Sequence, residues 1–157
     1  MRIIGVDPGF ASTGWGIVDS SAEKLVLVDQ GIISTKTDMP KADRLFFILE
    51  SIRKIADKHK PSLAAMENLY FGKNVTSAIS VAEGRGVILA CFAEKKIPVR
   101  EFTPNEIKQG VTGYGSAEKD QIQKMVALLL NLDKSPKSDH TADALAAAIC
   151  AANHSIY

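Results

Sequence analysis

The sequence predicts an α/β fold in which a five-stranded mixed sheet is flanked by helices. Three short β-rich runs, at residues 1–7, 13–20 and 24–35, are separated by Gly, Ser, Asp and Pro, which is typical of an antiparallel meander. Helical periodicity then alternates with two further apolar strands. Strands that alternate with helices need crossover connections, so these later strands are predicted to lie parallel to a central strand of the sheet.

The later elements are placed by their hydrophobic period. Apolar residues at helical spacing between residues 39 and 59, Phe46 among them, predict an amphipathic helix that covers the sheet and stops before Pro61. The remaining elements are predicted as strands at 62–68 and 97–102 and helices at 76–96, 116–131 and 139–153. This order favours helices on both sides of one sheet.

Length, charge and cysteine content favour a single cytoplasmic domain. With 157 residues, 46% of them hydrophobic, the chain is predicted to form one domain over residues 1–157. A net charge of +1 means that any nucleic-acid site must be a local basic patch. Cys91 and Cys150 lie in apolar stretches without CxxC spacing, which is typical of reduced, buried thiols. No secretory signal or membrane-length apolar run of roughly 18 residues is found, so no membrane partner is expected.

Acidic side chains are predicted to meet at one edge of the sheet. Asp7 ends the first strand and Glu67 ends the fourth, and in an α/β sheet reactive groups gather beyond the carboxyl ends of parallel strands. If the two strands are adjacent, the two carboxylates come together. Pro8 and Gly9 turn the backbone away from Asp7 and keep bulky side chains out of the space above it.

His140 and Asp143 complete this constellation. They are three residues apart in a predicted helix and share one face, and Asp139 precedes Asp143 by four residues. Carboxylates that converge on one point repel each other unless cations neutralise them, and hard oxygen ligands select Mg²⁺ or Mn²⁺. Two such ions about 3.5–4 Å apart activate water and stabilise the leaving oxygen of a phosphodiester. The predicted chemistry is therefore phosphodiester hydrolysis.

Five segments occur together in a characteristic order. They are GVDPGFASTGWGIV, AAMENLYFGKNVTSA, RGVILA, VTGYGSAEKDQIQKMV and HTADALAAAI. As a set they resemble the RuvC family of crossover (Holliday) junction endodeoxyribonucleases, which has the ribonuclease H-like fold. The resemblance implies one ribonuclease H-like nuclease domain that forms a homodimer and uses two Mg²⁺ ions per active site, for which Mn²⁺ can substitute.

The resemblance also implies a substrate and partners. It predicts a structure-specific hydrolase that resolves four-way DNA junctions by paired symmetric nicks, in homologous recombination and DNA repair. Its expected partners are junction DNA, a second copy of the chain, and the junction-recognition and branch-migration motor proteins of the same pathway.

By the same resemblance, Asp7, Glu67 and Asp143 match the catalytic, metal-binding acids of the family. His140 stands where many members have Asp, and we predict that it is the fourth ligand because the family motif uses a three-residue spacing. Imidazole is softer than carboxylate, so His140 should favour Mn²⁺. In the alternative interpretation Asp139 is the fourth ligand, and His140 is only a residue of the helix face.

Aromatic and basic residues after Glu67 are predicted to contact DNA. In the segment NLYFGKN, Tyr70 and Phe71 lie beside Lys73, and Tyr70 matches the base-stacking position of the family. Alternatively, one of the two aromatic rings packs the following helix against the core.

Three further basic residues match family positions. Lys108 and Lys119 match positions near the scissile phosphate, and Ser116 is predicted to cap the helix whose free N–H groups would assist Lys119. Arg85 matches another basic position, although an arginine inside an apolar helix equally suits an ion pair or a dimer contact. Gly84 and its small neighbours in that helix indicate close packing, either on the sheet or on a partner across a two-fold axis.

Three other functions are distinguished from the favoured one by sequence features. The DPG turn also resembles the phosphate loop of actin-like and sugar-kinase ATPases, but those proteins need two such lobes and this chain has no repeat. A non-catalytic junction-binding protein would usually lack one of the acids. Cleavage of RNA/DNA hybrids by a ribonuclease H shares the metal chemistry and differs only in substrate, and here the aromatic segment NLYFGKN and the GSAEK stretch favour the junction enzyme.

Overall fold

A five-stranded sheet forms the centre of the fold. A computed structural model describes residues 1–68, 75–136 and 138–154, without the side chains of residues 75–77. Its elements are β1 (Arg2–Asp7), β2 (Ser12–Ser20), β3 (Leu25–Ser34), α1 (Lys41–His59), β4 (Leu63–Glu67), α2 (Val75–Glu94), β5 (Val99–Phe102), α3 (Pro104–Thr112), α4 (Lys119–Leu129) and α5 (Asp139–Asn153). Each predicted strand and helix is therefore found, and α3 is an addition.

The strand order is β3-β2-β1-β4-β5. β1 pairs antiparallel with β2, and β2 with β3, as the predicted meander requires. β4 lies parallel to β1 on its other side, and β5 lies parallel to β4. The mixed sheet and the adjacency of the first and fourth strands are thus confirmed, because each parallel strand follows a helical crossover.

Two apolar cores lie on opposite faces of the sheet. Side chains alternate along a strand, so Ile3 packs with the helices of one face and Ile4 with those of the other. The core on the α1 and α2 face contains Ile48 and Phe92, whereas α3, α4 and α5 cover the opposite face. In the chain as far as it is described, none of the helices has the length and apolarity needed to cross a bilayer.

Both cysteines are buried free thiols, as predicted. Cys91 lies in α2 and belongs to the core on the α1 and α2 face of the sheet. Cys150 lies in α5 and belongs to the core on the opposite face, and each cysteine is 0% exposed. Burial raises the pKa of the Cys150 thiol to about 12, so that it stays protonated at neutral pH. Neither cysteine is suited to nucleophilic chemistry.

The buried face of α1 differs from the sequence expectation. Ile48, Ile52, Ala56 and His59 are buried, whereas Phe46 is 60% exposed. Each residue of a helix turns by about 100°, so Phe46 lies about 200° from Ile48 and faces away from the sheet. Placing Phe46 on the sheet-covering face was therefore wrong.

The short helix α3 was not predicted, although its start carries a capping signal. The Glu106 N–H donates to Thr103 Oγ1 at 3.2 Å, and the Thr103 N–H donates to Glu106 Oε2 at 2.7 Å. This capping box, with Pro104 as the first helical residue, stabilises the N-terminus of α3. The sequence TPNE contained this pattern.

The start of α4 lies later than predicted. The helix begins at Lys119, and the N–H of Glu118, the residue before it, donates to Gln121 Oε1 at 2.8 Å. Ala117, two residues before the helix, is fully buried, whereas its neighbours Ser116 and Glu118 are exposed. The prediction that Ser116 caps this helix was wrong.

Glycines let α5 lie directly on β1 and β2. A Cβ atom at Gly5 would overlap the carbonyl oxygen of Ala144, and one at Gly14 would overlap the carbonyl oxygen of His140. No side chain separates the helix from the strands at these positions. The close approach brings the first turn of α5 to the end of β1, where Asp7 lies opposite Gly14.

Candidate active site

Two carboxylates lie at one edge of the sheet because of the strand order. Asp7 is the last residue of β1, and Glu67 is the last residue of β4. These strands are parallel neighbours, with Val6 opposite Met66 one position earlier. The predicted convergence of the two acids at the carboxyl edge of the sheet is therefore present in the fold.

Helix α5 adds His140 to this edge. Ser138 precedes the helix, and its Oγ accepts a hydrogen bond from the Thr141 N–H at 3.2 Å. His140 Nδ1 lies 2.6 Å from Asp7 Oδ2, although the two residues are 133 positions apart in the chain. The Gly14 contact beneath His140 makes this pairing sterically feasible.

Lys119 connects the other end of the acid cluster to α4. Its Nζ lies 3.0 Å from Asp139 Oδ2 and 3.6 Å from Asp143 Oδ2. Asp139 also accepts a hydrogen bond from Gln123 Nε2 at 2.8 Å. Asp139 is thus bonded to α4, whereas His140 contacts Asp7. This arrangement favours His140 over Asp139 as the fourth residue of the site.

Glu67 stands between two clefts. The larger has a volume of about 300 Å³ and the smaller about 220 Å³, and both are bordered by Glu67 and Pro104. The larger cleft also contacts Asp7, Pro8, Asn68, Val81 and Arg85, and the smaller contacts Ile107, Lys108, Lys119, Ile122, Asp143 and Ala146. Glu67 therefore borders both the cleft that contains Asp7 and the cleft that contains Asp143, Lys108 and Lys119.

Burial and mutual repulsion disfavour the charged forms of the acids. Burial is the largest cause of the raised pKa of Asp7, and the charge of Asp143 adds to it, while the hydrogen bond with His140 acts in the opposite direction. The pKa of Glu67 is raised by burial and then by the charges of Asp7 and Asp143. Burial also raises the pKa of Asp143. A cation placed among these carboxylates would relieve the repulsion.

The donor chemistry fits a hard divalent cation, although the side chains are not arranged as a finished metal site. Within residues 1–68, 75–136 and 138–154, no group of three His, Cys, Asp or Glu side chains is placed so that it could hold a metal ion. Instead, Asp7 contacts His140, and Asp143 contacts Lys119. Coordination of a cation by these side chains would require the pairings to be exchanged for contacts with the metal.

The predicted DNA contacts have different outcomes. Lys108 and Lys119 border the smaller cleft beside Glu67 and Asp143. Tyr70, Phe71 and Lys73 lie outside the described residues and stay predictions. Arg85 is buried and donates a hydrogen bond to the main chain of Glu67, so its contact with DNA also stays a prediction.

Comparison with known proteins decides the family. Residues 3–151 match the family described as "Crossover junction endodeoxyribonuclease RuvC". The chain belongs to the RuvC family. The RuvC protein of Petrotoga mobilis is 47% identical over 153 residues, which cover 98% of this chain and 94% of that relative. RuvC nucleases are metal-dependent, in agreement with the acid-rich site.

Solved RuvC structures share the fold. The structure described as "Thermus thermophilus RuvC structure" has a TM-score of 0.93 and 28% identity, and the match covers 99% of this chain and 96% of that one. A second, "T. thermophilus RuvC in complex with Holliday junction substrate", has a TM-score of 0.92 and 26% identity, with coverage of 99% and 96%. The predicted ribonuclease H-like fold and RuvC membership are confirmed.

Proposed function

We propose that this protein is a crossover junction endodeoxyribonuclease, a hydrolase that resolves four-way DNA junctions in homologous recombination and DNA repair. The observation that carries the proposal is the convergence of Asp7, Glu67 and the first turn of α5 at the carboxyl edge of the sheet, in a RuvC chain. The family name and the junction complex of the Thermus thermophilus relative support the substrate. Residues 1–157 form a single nuclease domain in this proposal.

The acids and His140 supply the catalytic ligands in this proposal. Asp7, Glu67, His140 and Asp143 would hold two Mg²⁺ ions, with Mn²⁺ as a substitute, and these ions supply the activation of water and the stabilisation of the leaving oxygen. The raised pKa values of the three carboxyls support this assignment, since burial withdraws water from their charged forms and a bound cation would replace that stabilisation. Asp7 would bind at the centre of the set, because it contacts His140 and borders the same cleft as Glu67.

Basic residues would hold the DNA backbone beside the acids. Lys108 and Lys119 border the smaller cleft, and Lys119 is the first residue of α4, where free backbone N–H groups also attract phosphate. The family resemblance adds Tyr70 as the residue that stacks on an unpaired base at the crossover, with Phe71 and Lys73 beside it.

A homodimer would place two such sites on one junction. Paired symmetric nicks need two active sites related by a two-fold axis, and a symmetric dimer provides them. Phe46, Phe47 and Ile79 are 60%, 44% and 50% exposed on α1 and α2, and exposed apolar side chains of this size suit a subunit contact. Junction-recognition and branch-migration motor proteins would act on the same DNA in the cytoplasm.

The proposed function is tested by mapping cleavage of three substrates. The purified protein is incubated with a four-way DNA junction, a linear duplex or an RNA/DNA hybrid, with Mg²⁺ and separately with Mn²⁺. We expect paired symmetric nicks in the junction alone. Cleavage of the hybrid alone would assign the protein to the ribonucleases H, and tight junction binding without cleavage in either metal would identify a non-catalytic binding protein.

The identity of the fourth ligand gives a separate prediction. We expect His140→Ala to lower junction cleavage by about 100-fold or more, because it removes the side chain that contacts Asp7. Asp139→Asn should lower it by less than about tenfold, since it weakens only an exposed ion pair with Lys119. His140→Asp should shift the preference from Mn²⁺ towards Mg²⁺. Single-turnover rates in both metals measure these effects, and a larger loss from Asp139→Asn would make Asp139 the ligand.

A further inference from the structure

Arg85 is a buried cation beside the catalytic edge of the sheet. It lies in α2 and is 8% exposed. Its Nη1 donates to the main-chain carbonyl oxygen of Glu67 at 2.7 Å, and its Nη2 lies 2.9 Å from Glu101 Oε2. Both terminal nitrogens of the guanidinium are therefore bonded within the chain, one of them to the backbone of a catalytic residue.

These two bonds join α2 to the ends of two strands. Glu67 ends β4, and Glu101 is the residue before the end of β5. The strands are also joined directly here, since the Asn68 N–H donates to the Phe102 carbonyl at 2.8 Å. The Glu67 main chain is therefore held by β5 and by Arg85, which restricts the direction in which its side chain can leave the sheet.

The preceding residue of α2, Gly84, lies close to the turn that follows β1. A Cβ atom at Gly84 would lie 3.4 Å from the carbonyl oxygen of Gly9, in the turn that follows Asp7. Consecutive residues of α2 thus approach the end of β1 and the end of β4. This segment therefore lies next to both strand ends that carry Asp7 and Glu67, which the direct pairing of β1 with β4 holds side by side.

An arginine is suited to this position because its planar guanidinium presents several donors in a fixed geometry. Lysine offers a single charged centre and would not reach the carbonyl and the carboxylate in the same directions. A partly buried carbonyl that loses its donor is still costly, so we expect the backbone at Glu67 to move towards another partner. A shift of this backbone moves the Glu67 carboxylate with it.

We propose that Arg85, held by Glu101, is a positioning residue that aims the Glu67 carboxylate for metal binding and cleavage. The inference rests on the proposed function of the same site. This positioning role differs from a direct DNA contact, because both terminal nitrogens of Arg85 are bonded to Glu67 and Glu101. Through these bonds Arg85 acts on the placement of Glu67. If Arg85 positions Glu67, junction affinity should not depend on Arg85, and cleavage should depend on Glu101. If Arg85 contacts DNA, junction affinity should depend on Arg85, and Glu101 should have no effect.

The test compares Arg85→Lys and Glu101→Gln with a matched control, Arg53→Gln. Arg53 in α1 also pairs with a glutamate of another element, Glu94 in α2, but it does not border either cleft. Glu101 has a side chain that is 40% exposed, so Glu101→Gln is expected to fold, and thermal melting checks this for every variant.

The readouts separate positioning from DNA binding. We expect Arg85→Lys and Glu101→Gln to lower the single-turnover cleavage rate by about 10- to 100-fold and to raise the Mg²⁺ concentration needed for half-maximal rate. Junction affinity in EDTA and its dependence on salt should be unchanged, and Arg53→Gln should behave as the unaltered protein. A DNA contact would instead lower affinity and reduce the salt slope by about one, with Glu101→Gln unaffected. That outcome, or wild-type cleavage and Mg²⁺ dependence of Glu101→Gln, overturns the inference.

A metal-binding measurement tests the positioning role of Arg85 without relying on cleavage. Calorimetric titration with Mn²⁺ should show weaker binding to Glu101→Gln by about tenfold, and Glu67→Gln should be weakened at least as much. If the unaltered protein binds Mn²⁺ but does not cleave the junction, the proposed function fails while the titration still tests the inference. Equal Mn²⁺ affinity in Glu101→Gln and the unaltered protein would overturn the positioning role.

Discussion

Replacement of Asp7 by Asn is expected to lower junction cleavage by at least about 1,000-fold while junction binding is retained. The substitution removes the carboxylate that we propose as the central metal ligand, where the charges of the transition state must be neutralised. Glu67→Gln and Asp143→Asn should have the same effect, because each removes a carboxylate from the same edge. Gel-shift binding in EDTA and single-turnover cleavage measure the two properties separately.

These acid variants should remain folded. Burial raises the pKa of Asp7, which means that its ionised form opposes folding at neutral pH, and removal of the charge should leave the melting temperature unchanged or higher. Glu23→Gln is the matched control, since Glu23 is an exposed carboxylate in the turn at the opposite end of the sheet. Loss of junction binding in all three acid variants would contradict their assignment as metal ligands.

Gly14→Ala is expected to have the second large effect. A Cβ atom here would overlap the carbonyl oxygen of His140, so α5 must move away from β2. We expect a loss of about 1–3 kcal/mol in the free energy of unfolding, which is the usual cost of overpacking. Displacement of His140 and Asp143 by about 1 Å should also lower cleavage on the order of 100-fold.

Gly86→Ala is the control for Gly14→Ala. Gly86 lies inside α2, and among the described residues nothing lies within 4 Å of a Cβ built there. The change should stabilise the protein by about 0.5–1 kcal/mol, because alanine favours a helix more than glycine does. Denaturant unfolding and cleavage rates compare the two variants. Wild-type stability and activity in Gly14→Ala would show that α5 does not depend on this contact.

The strands and helices with a strong hydrophobic periodicity could be predicted from the sequence, whereas the short helix α3, whose periodicity is weak, could not. The strands and long helices carry many apolar residues at regular spacing, and the resulting order sufficed to bring Asp7 and Glu67 to one edge. Helix α3 buries only Ile107 and Val111, too few residues for a recognisable period. Its capping box at Thr103 was a local signal that hydrophobic period alone does not reveal.

The pairings inside the site depend on tertiary packing. Asp139 and His140 are neighbours in α5, and each residue turns a helix by about 100°, so the side chain that faces Asp7 is set by how α5 lies on Gly14. The partners of Arg85 likewise come from two strands, β4 and β5, whose distance from α2 is not a local property. Sequence patterns could identify these residues as candidates but could not show which of them contact each other.

The separation of Asp7 and His140 by 133 residues also bears on protein synthesis. β1 leaves the ribosome first, but the site stays incomplete until α5 has been made and has packed on Gly5 and Gly14. Contacts between such distant segments form late, since a long loop must close first. A nascent chain that lacks α5 would therefore carry Asp7 and Glu67 without the contact from His140, and we expect nuclease activity only after α5 has been made and has packed on the sheet.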